Sequence, residues 1–195
     1  NEGVQKGKAT LTNKNWYELY KKCTELNASE KVESRMIWGI QWDLACDFIS
    51  KRGEQKSITN SITWGNYKNS AGNAAVMNGT TKLYGGKQVT GFSEYWKANN
   101  IYDLAGNCYE WSQEACYASN HANRGGACGY DGSNDPASKH GNCYASNDYS
   151  DLRFSSNFNN KVDGGEYKLK CDKQLTATNK NVIIIFGKRV CSSVG

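Results

Sequence analysis

Hydrophobic positions recur at helical spacing only near the start of the chain. From Asn13 onward, Trp16, Leu19, Tyr20, Cys23 and Leu26 follow the i, i+3, i+4, i+7 order of an amphipathic helix, with Asn15 or Asn13 available as N-cap. A short link leads to a second stretch. There Ile37, Ile40 or Gln41, Leu44, Ala45, Phe48 and Ile49 fall on one face, and Lys51-Arg52-Gly53 provides a basic last turn followed by a C-cap glycine. Beyond Gly53 the helical period disappears. Short β-like pieces such as Ser57-Ile58-Thr59 and Ile62-Thr63-Trp64 stand between Gly, Asn and Ser, and residues 64–94 predict a long ordered or semi-ordered surface loop. Helices first and strands later indicate an α+β class.

The tail has a different pattern. Glu166-Tyr167-Lys168-Leu169-Lys170 alternates at period two, and residues 181–186 form a strand-like run. Val182-Ile183-Ile184-Ile185-Phe186 is too apolar to face water and too short for a stable helix, so it predicts a covered strand. Two coverings are open. The run returns to the core as an added strand, with Cys171 and Cys191 closing a hairpin turned at residues 176–181, or it pairs with a neighbouring subunit through an open edge. The even cysteine count favours the first.

Composition changes this picture in one respect. Leu, Ile, Val and Phe are 31 of 195 residues, a share found in disordered chains, but the net charge is only +5 and the chain carries 6 Trp and 12 Tyr. The expectation is an aromatic core with Trp38, Trp42, Trp96, Trp111, Tyr102 and Leu104 buried together. Lys and Arg never cluster beyond two in a row, so a nucleic-acid partner has no electrostatic footprint. The longest strongly apolar run is five residues, against about twenty for a membrane helix. The start at Asn1, without Met or an apolar signal, suggests a processed, engineered or partial chain. Eight cysteines favour disulfides over free thiols; Cys108/Cys116, Cys128/Cys143 and Cys171/Cys191 could each close a local loop, with the pairing open. Asn27-Ala28-Ser29 and Asn78-Gly79-Thr80 are sequons that act only in a eukaryotic secretory route.

The most specific stretch runs Asn100-Ile101-Tyr102-Asp103-Leu104-Ala105-Gly106-Asn107-Cys108-Tyr109-Glu110-Trp111, with Arg124-Gly125-Gly126 thirteen residues on. Asp103 and Asn107 suit turns, Gly106 a left-handed or crowded backbone, and Trp111 an anchor. The stretch resembles the "GLYDMAGNVWEW" and "RGG" motifs of the formylglycine-generating enzyme and sulfatase-modifying family, which implies a C-type-lectin-like fold. A closer resemblance covers residues 34–158. Ser34-Arg35-Met36-Ile37-Trp38-Gly39-Ile40-Gln41-Trp42-Asp43 is similar to the "S-x-M-I-W-G-x-Q-W-D" segment of lectin-fold proteins from gut bacteria and their phages, many of them variable proteins of diversity-generating retroelements. Gly132-Ser133-Asn134-Asp135-Pro136-Ala137-Ser138-Lys139-His140 keeps their "G-xxx-PAS-x-R" scaffold with His140 for the usual Arg, and Asp151-Leu152-Arg153-Phe154 stands in place of "GFR". The implied architecture is α+β with two N-terminal helices, short twisted strands and long ordered loops over residues 1–158. Residues 159–195 would add a C-terminal β-hairpin, packed on that domain or on a neighbouring subunit.

Residues 127–151 contain no Leu, Ile, Val, Met or Trp. Tyr supplies rigid contact area and Ser, Gly and Asn supply adaptable hydrogen bonds, the mixture of antibody paratopes; the plain alternative is a polar loop. Retroelement diversification, as the resemblance implies, turns Asn codons into Tyr, Asp, Ser, Gly, His or Cys. Tyr130, Asp131, Asn134, Lys139, Asn142, Tyr144, Asn147 and Tyr149 are therefore expected to point outward from one surface supported by Trp111. The function so implied is non-enzymatic display on a phage virion or bacterial surface, binding a host or cell-surface protein or glycan. The protein would be extracellular, with no nucleic-acid partner and no membrane insertion, and homo-oligomeric or assembled into a virion. The alternatives are a formylglycine-generating-type oxidase with an altered site and a purely structural virion or filament subunit. Cys128 and Cys143 are not at the oxidase spacing and lack a neighbouring cation, and His121 and His140 are the only histidines. No catalytic residue is expected. Asn107 and Glu110 lie near positions where family members bind structural Ca²⁺ through oxygens; the competing role is a turn residue and an exposed strand residue.

Overall fold

A computed structural model describes residues 6–26, 32–117, 120–145, 181–185 and 187–188. Helix α1 (Trp16–Glu25) starts at Asn15, the second of the two candidate caps. The Asn15 side chain accepts from the Glu18 N–H at 2.9 Å and the Glu18 carboxylate accepts from the Asn15 N–H at 3.2 Å, a reciprocal capping box. The link after α1 is a strand, β1 (Val32–Met36). It buries Ser34 and Met36 and pairs in parallel with β9 (Asn181–Ile185), while β10 (Gly187–Lys188) pairs antiparallel with Trp111 and Glu110. Residues 181–185 of the tail thus pair within the chain, with β1, and residues 187–188 pair with a second sheet. The expected hairpin's other arm, residues 166–170, and Cys171 and Cys191 lie outside the described residues.

Helix α2 (Gly39–Lys51) turns a different face inward from the one its aliphatic residues suggest. Gly39, Trp42, Cys46 and Ile49 are buried, whereas Ile40 is 52%, Leu44 63% and Phe48 50% exposed. The two stripes are two residues apart, roughly 200° around the helix. Trp42 decides the rotation: its indole N–H donates to the Ala137 carbonyl at 2.9 Å, and one buried Trp covers more area than an aliphatic neighbour. The C-terminus is held from outside, because Asn99 accepts from the Glu54 N–H and donates to the Arg52 carbonyl, both at 3.0 Å.

The main sheet is antiparallel in the order β10-β6-β7-β8, with β6 at Glu110–Tyr117, β7 at Asn120–Arg124 and β8 at His140–Ala145. Two small hairpins join β2 (Met77–Asn78) to β3 (Thr81–Lys82) and β4 (Lys97–Ala98) to β5 (Ile101–Tyr102). Two helices with small, mostly antiparallel sheets make the chain α+β. No described helix is long and apolar enough to cross a membrane.

Tryptophan organises the core. Trp42, Trp64, Trp96 and Trp111 are fully buried, as is Leu104, but Trp38 and Tyr102 are only half-buried. Tyr102 stays at the surface because its hydroxyl donates to the Glu94 carboxylate. Trp42 packs with Ile37, Cys46, Ile49, Trp64, Tyr67 and Leu104, whereas Trp111 packs with Leu19, Cys23 and Met36 under α1. The indole N–H groups of Trp64, Trp96 and Trp16 donate to the carbonyls of Ser57, Ala74 and Ser112. The Trp64 and Trp96 contacts each bury a large ring and satisfy an irregular backbone group at once, so few aliphatic residues hold long loops in order.

Candidate functional site

The polar residues of the 103–110 stretch serve the scaffold. Asp103, at φ 56 and fully buried, accepts from the Gly91 N–H at 2.8 Å. Gly106 has φ 74, and a Cβ there would collide with the Asn66 carbonyl, so this crossing of two backbones admits only glycine. Asn107 accepts through one oxygen from the Gln88 N–H at 2.9 Å and the Asn66 Nδ2 at 3.1 Å, and donates to the Gln88 carbonyl at 3.2 Å. Asn66 in turn accepts from the Gly85 N–H and donates to the Gly86 carbonyl. Two asparagines thereby staple the 83–91 loop to the core.

At the candidate calcium pair, the Asn107 oxygen accepts from two N–H donors, Glu110 is buried rather than exposed on its strand, and no group of three or more His, Cys, Asp or Glu that could hold a metal occurs among the described residues. Calcium takes six to eight oxygens.

Arg124 is equally enclosed. Its guanidinium donates to Glu114 at 3.1 and 2.7 Å and to Asp43 at 3.0 Å, which ties β7 to β6 and α2. Side chains in the Gly39 position would collide with Glu114, so the start of α2 is shaped to admit this carboxylate.

The described disulfide crosses the sheet rather than closing a local loop. Cys116 on β6 is bonded to Cys143 on β8, across the intervening β7, with Cα atoms 6.1 Å apart. Neither Cys108/Cys116 nor Cys128/Cys143 forms. Register shifts in β6–β7 and β7–β8 curl the sheet, and the small buried Ala122 sits with the two sulfurs. Burial pushes the Cys23 and Cys46 thiols up to about 12, which removes them as thiolate nucleophiles at neutral pH.

Four of the eight expected contact residues share one loop, residues 127–139. Asn134 and Lys139 are exposed and Tyr130 and Asp131 half-exposed. Asp131 folds the loop tip, accepting from the Ser133 N–H at 2.8 Å, the Ser133 hydroxyl at 2.5 Å and the Asn134 N–H at 3.3 Å. The Ser133 hydrogen bonds hold its carboxyl below the usual range. The loop is tied from beneath as well: Asn69 accepts from the Gly132 N–H, and the Lys68 and Ser61 N–H groups donate to the carbonyls of Tyr130 and Gly132. Asn142 and Tyr144 are on β8, Tyr144 at the register position opposite His121 and Asn142 inside the register shift. Asn147 and Tyr149 lie outside the described residues.

The support under this loop is not Trp111, which is on the α1 side of the sheet. It is a pair of tyrosines that sequence reasoning missed. The Tyr109 hydroxyl donates to Asp135 at 2.8 Å, Asp135 also pairs with Lys139 at 2.9 Å, and the Tyr109 and Tyr130 rings are 5.5 Å apart. Tyr67 is buried under Gly132, donates to the Gly125 carbonyl at 2.9 Å, and has its phenol pushed up by burial. Tyr109 precedes β6, so the strand alternation that would place it on the face of Trp111 does not reach it, and the sequence carried no signal for its side. His121 was missed too: it stacks on Trp16 at 3.7 Å, and burial lowers it to about 4.

No family model, curated protein or solved structure matches this chain.

Proposed function

We propose that the chain is a non-enzymatic binding protein that displays the 129–139 loop and the adjoining β8 edge to a protein or glycan on a cell surface, from a phage virion or bacterial envelope. One observation carries this reading: the loop presents Tyr130, Ser133, Asn134 and Lys139 outward while its backbone is anchored by Asp131, Asn69, Tyr67 and Tyr109. A polar surface ordered before binding loses little conformational entropy on contact. The polar residues that would be first suspects for chemistry, Asp103, Asn107 and Arg124, hold the scaffold together instead.

The experiment uses labelled full-length protein on a panel of gut bacterial cells, with retention read by flow cytometry. The combined change Tyr130→Ala, Asn134→Ala and Lys139→Ala is expected to abolish retention while the circular dichroism spectrum is kept. Substitutions on the exposed α2 stripe are expected to leave retention intact. Undiminished retention by the triple variant overturns the reading. Sequencing the flanking DNA tests the retroelement part separately, through a reverse-transcriptase gene and a template repeat that copies the codons of residues 127–151.

A further inference from the structure

The chain contains one Asn-Gly step, Asn78-Gly79, and the fold presents it at the tip of the β2–β3 hairpin. The loop has two residues, with Gly79 at φ +59 and Thr80 on the ordinary negative side, the pattern of a type II′ turn. All four strand residues of this hairpin are exposed, and a Cβ on Gly79 would meet nothing within 4 Å. Among the described residues neither the Gly79 N–H nor the Asn78 side chain takes part in a hydrogen bond.

Other asparagines followed by a small or polar residue are placed differently. After Asn60, Asn69, Asn73 and Asn134, the N–H of the next residue donates to a carbonyl of Gly132, Tyr67, Ala71 and Asp131 respectively. The side chains of Asn60 and Asn69 also accept backbone N–H groups. Such a nitrogen is held away from the neighbouring amide carbon, and only Gly79 is unencumbered both in its own bonding and by the lack of a side chain.

We propose that Asn78 is a self-modification site at which the chain deamidates without any enzyme. The Gly79 backbone nitrogen gives its proton to hydroxide and bonds to the Asn78 Cγ. The Cγ–Nδ2 bond breaks as Nδ2 takes a proton from the water just formed, which restores the hydroxide, and ammonia leaves, so the product is a five-membered succinimide. One water then opens the ring, at the side-chain carbonyl to give aspartate or at the backbone carbonyl to give isoaspartate. No oxidant, reductant or cofactor enters. A two-strand hairpin of two-residue strands has little to hold it closed, so the excursion that brings nitrogen and carbon together is cheap. Isoaspartate inserts an extra backbone carbon where the turn has room for two residues, and either product adds a negative charge beside Lys82. The modification thus makes the hairpin a clock for the age of the molecule, independent of what the 129–139 loop binds.

The test incubates the full chain in warm, mildly alkaline buffer, with an acidic sample as control, and follows each Asn-containing peptide by mass spectrometry with isoaspartate detection. Conversion at Asn78 is expected to run several-fold faster than at Asn60, Asn69, Asn73 and Asn134, to give both products, and to rise with pH. Gly79→Ala is expected to slow it several-fold, and the same chain in urea provides the rate without structure. Conversion at Asn78 no faster than at those four residues in the native chain, while urea restores a fast reaction, overturns the proposal.

Discussion

Replacing Asn107 by Ala tests the claim that two asparagines staple the 83–91 loop to the core. The side chain is fully buried and makes three hydrogen bonds, two accepted and one donated. Alanine leaves the Gln88 N–H, the Gln88 carbonyl and the Asn66 amide without this partner. At about 1 kcal/mol for each bond, with part of the Gln88 groups reaching water, the loss is about 2 to 3 kcal/mol. The backbone adds to it: Asn107 sits at φ 60, where a residue without a short polar side chain is disfavoured by about 1 kcal/mol. Asn107→Ala is therefore expected to lower the urea unfolding free energy by about 3 to 4 kcal/mol in all. Asn107→Gly loses the same bonds but not the backbone term, so it should recover about 1 kcal/mol of that loss. Hydrogen exchange adds a local readout, with faster exchange at the Gln88 amide and no change at Trp42, across the core. An Ala variant within about 0.5 kcal/mol of the parent, the range of inert surface changes, refutes the staple.

The His121 imidazole, lowered to about 4 from 6.5 by burial, makes stability pH-dependent: the unfolded chain takes up the proton first, so this contribution is complete above about pH 6.5, is lost as the pH falls toward 4, and amounts to about 2 to 3 kcal/mol. Urea midpoints at the two ends of that window should differ less for His121→Phe, which keeps the stack on Trp16, and an unchanged pH slope would dismiss this role. Ile49→Ala is expected to cost about 2 to 5 kcal/mol and Leu44→Ala less than about 0.5 kcal/mol; equal losses in thermal melts would mean that Leu44 is buried as well. Reducing the Cys116–Cys143 bond, which closes a separation of 27 residues, should lower stability by about 3 kcal/mol, measured by urea unfolding with and without reductant, and Cys116→Ser with Cys143→Ser should remove the reductant effect.

The local elements were legible before any coordinates because their causes are local. Asn15, one of two candidate caps, starts α1, Lys51-Arg52-Gly53 ends α2, and Gly106 between Asp103 and Asn107 marks a backbone crossing. The scarcity of aliphatics beside 6 Trp was likewise enough to place Trp42, Trp96 and Trp111 inside. Tertiary structure decided whatever depends on a distant partner. The rotation of α2 follows from one indole meeting the Ala137 carbonyl, 95 residues away, and a pattern counted along α2 holds no trace of that contact. Strand β1 reads as a link because its pairing partner β9 comes about 150 residues later, and backbone pairing leaves no mark in side-chain periodicity. The cysteine partners depend on how sharply β6, β7 and β8 curl, so a pairing the sequence left open became one bridge across a strand. At the candidate site the sequence determined the polar, tyrosine-rich character of residues 127–139, since composition alone forbids an apolar core there. Only packing could decide that Tyr67 and Tyr109, and not Trp111, lie beneath it, because Tyr109 precedes β6, where strand alternation would have put it on the face of Trp111, and the face is set by what covers the sheet.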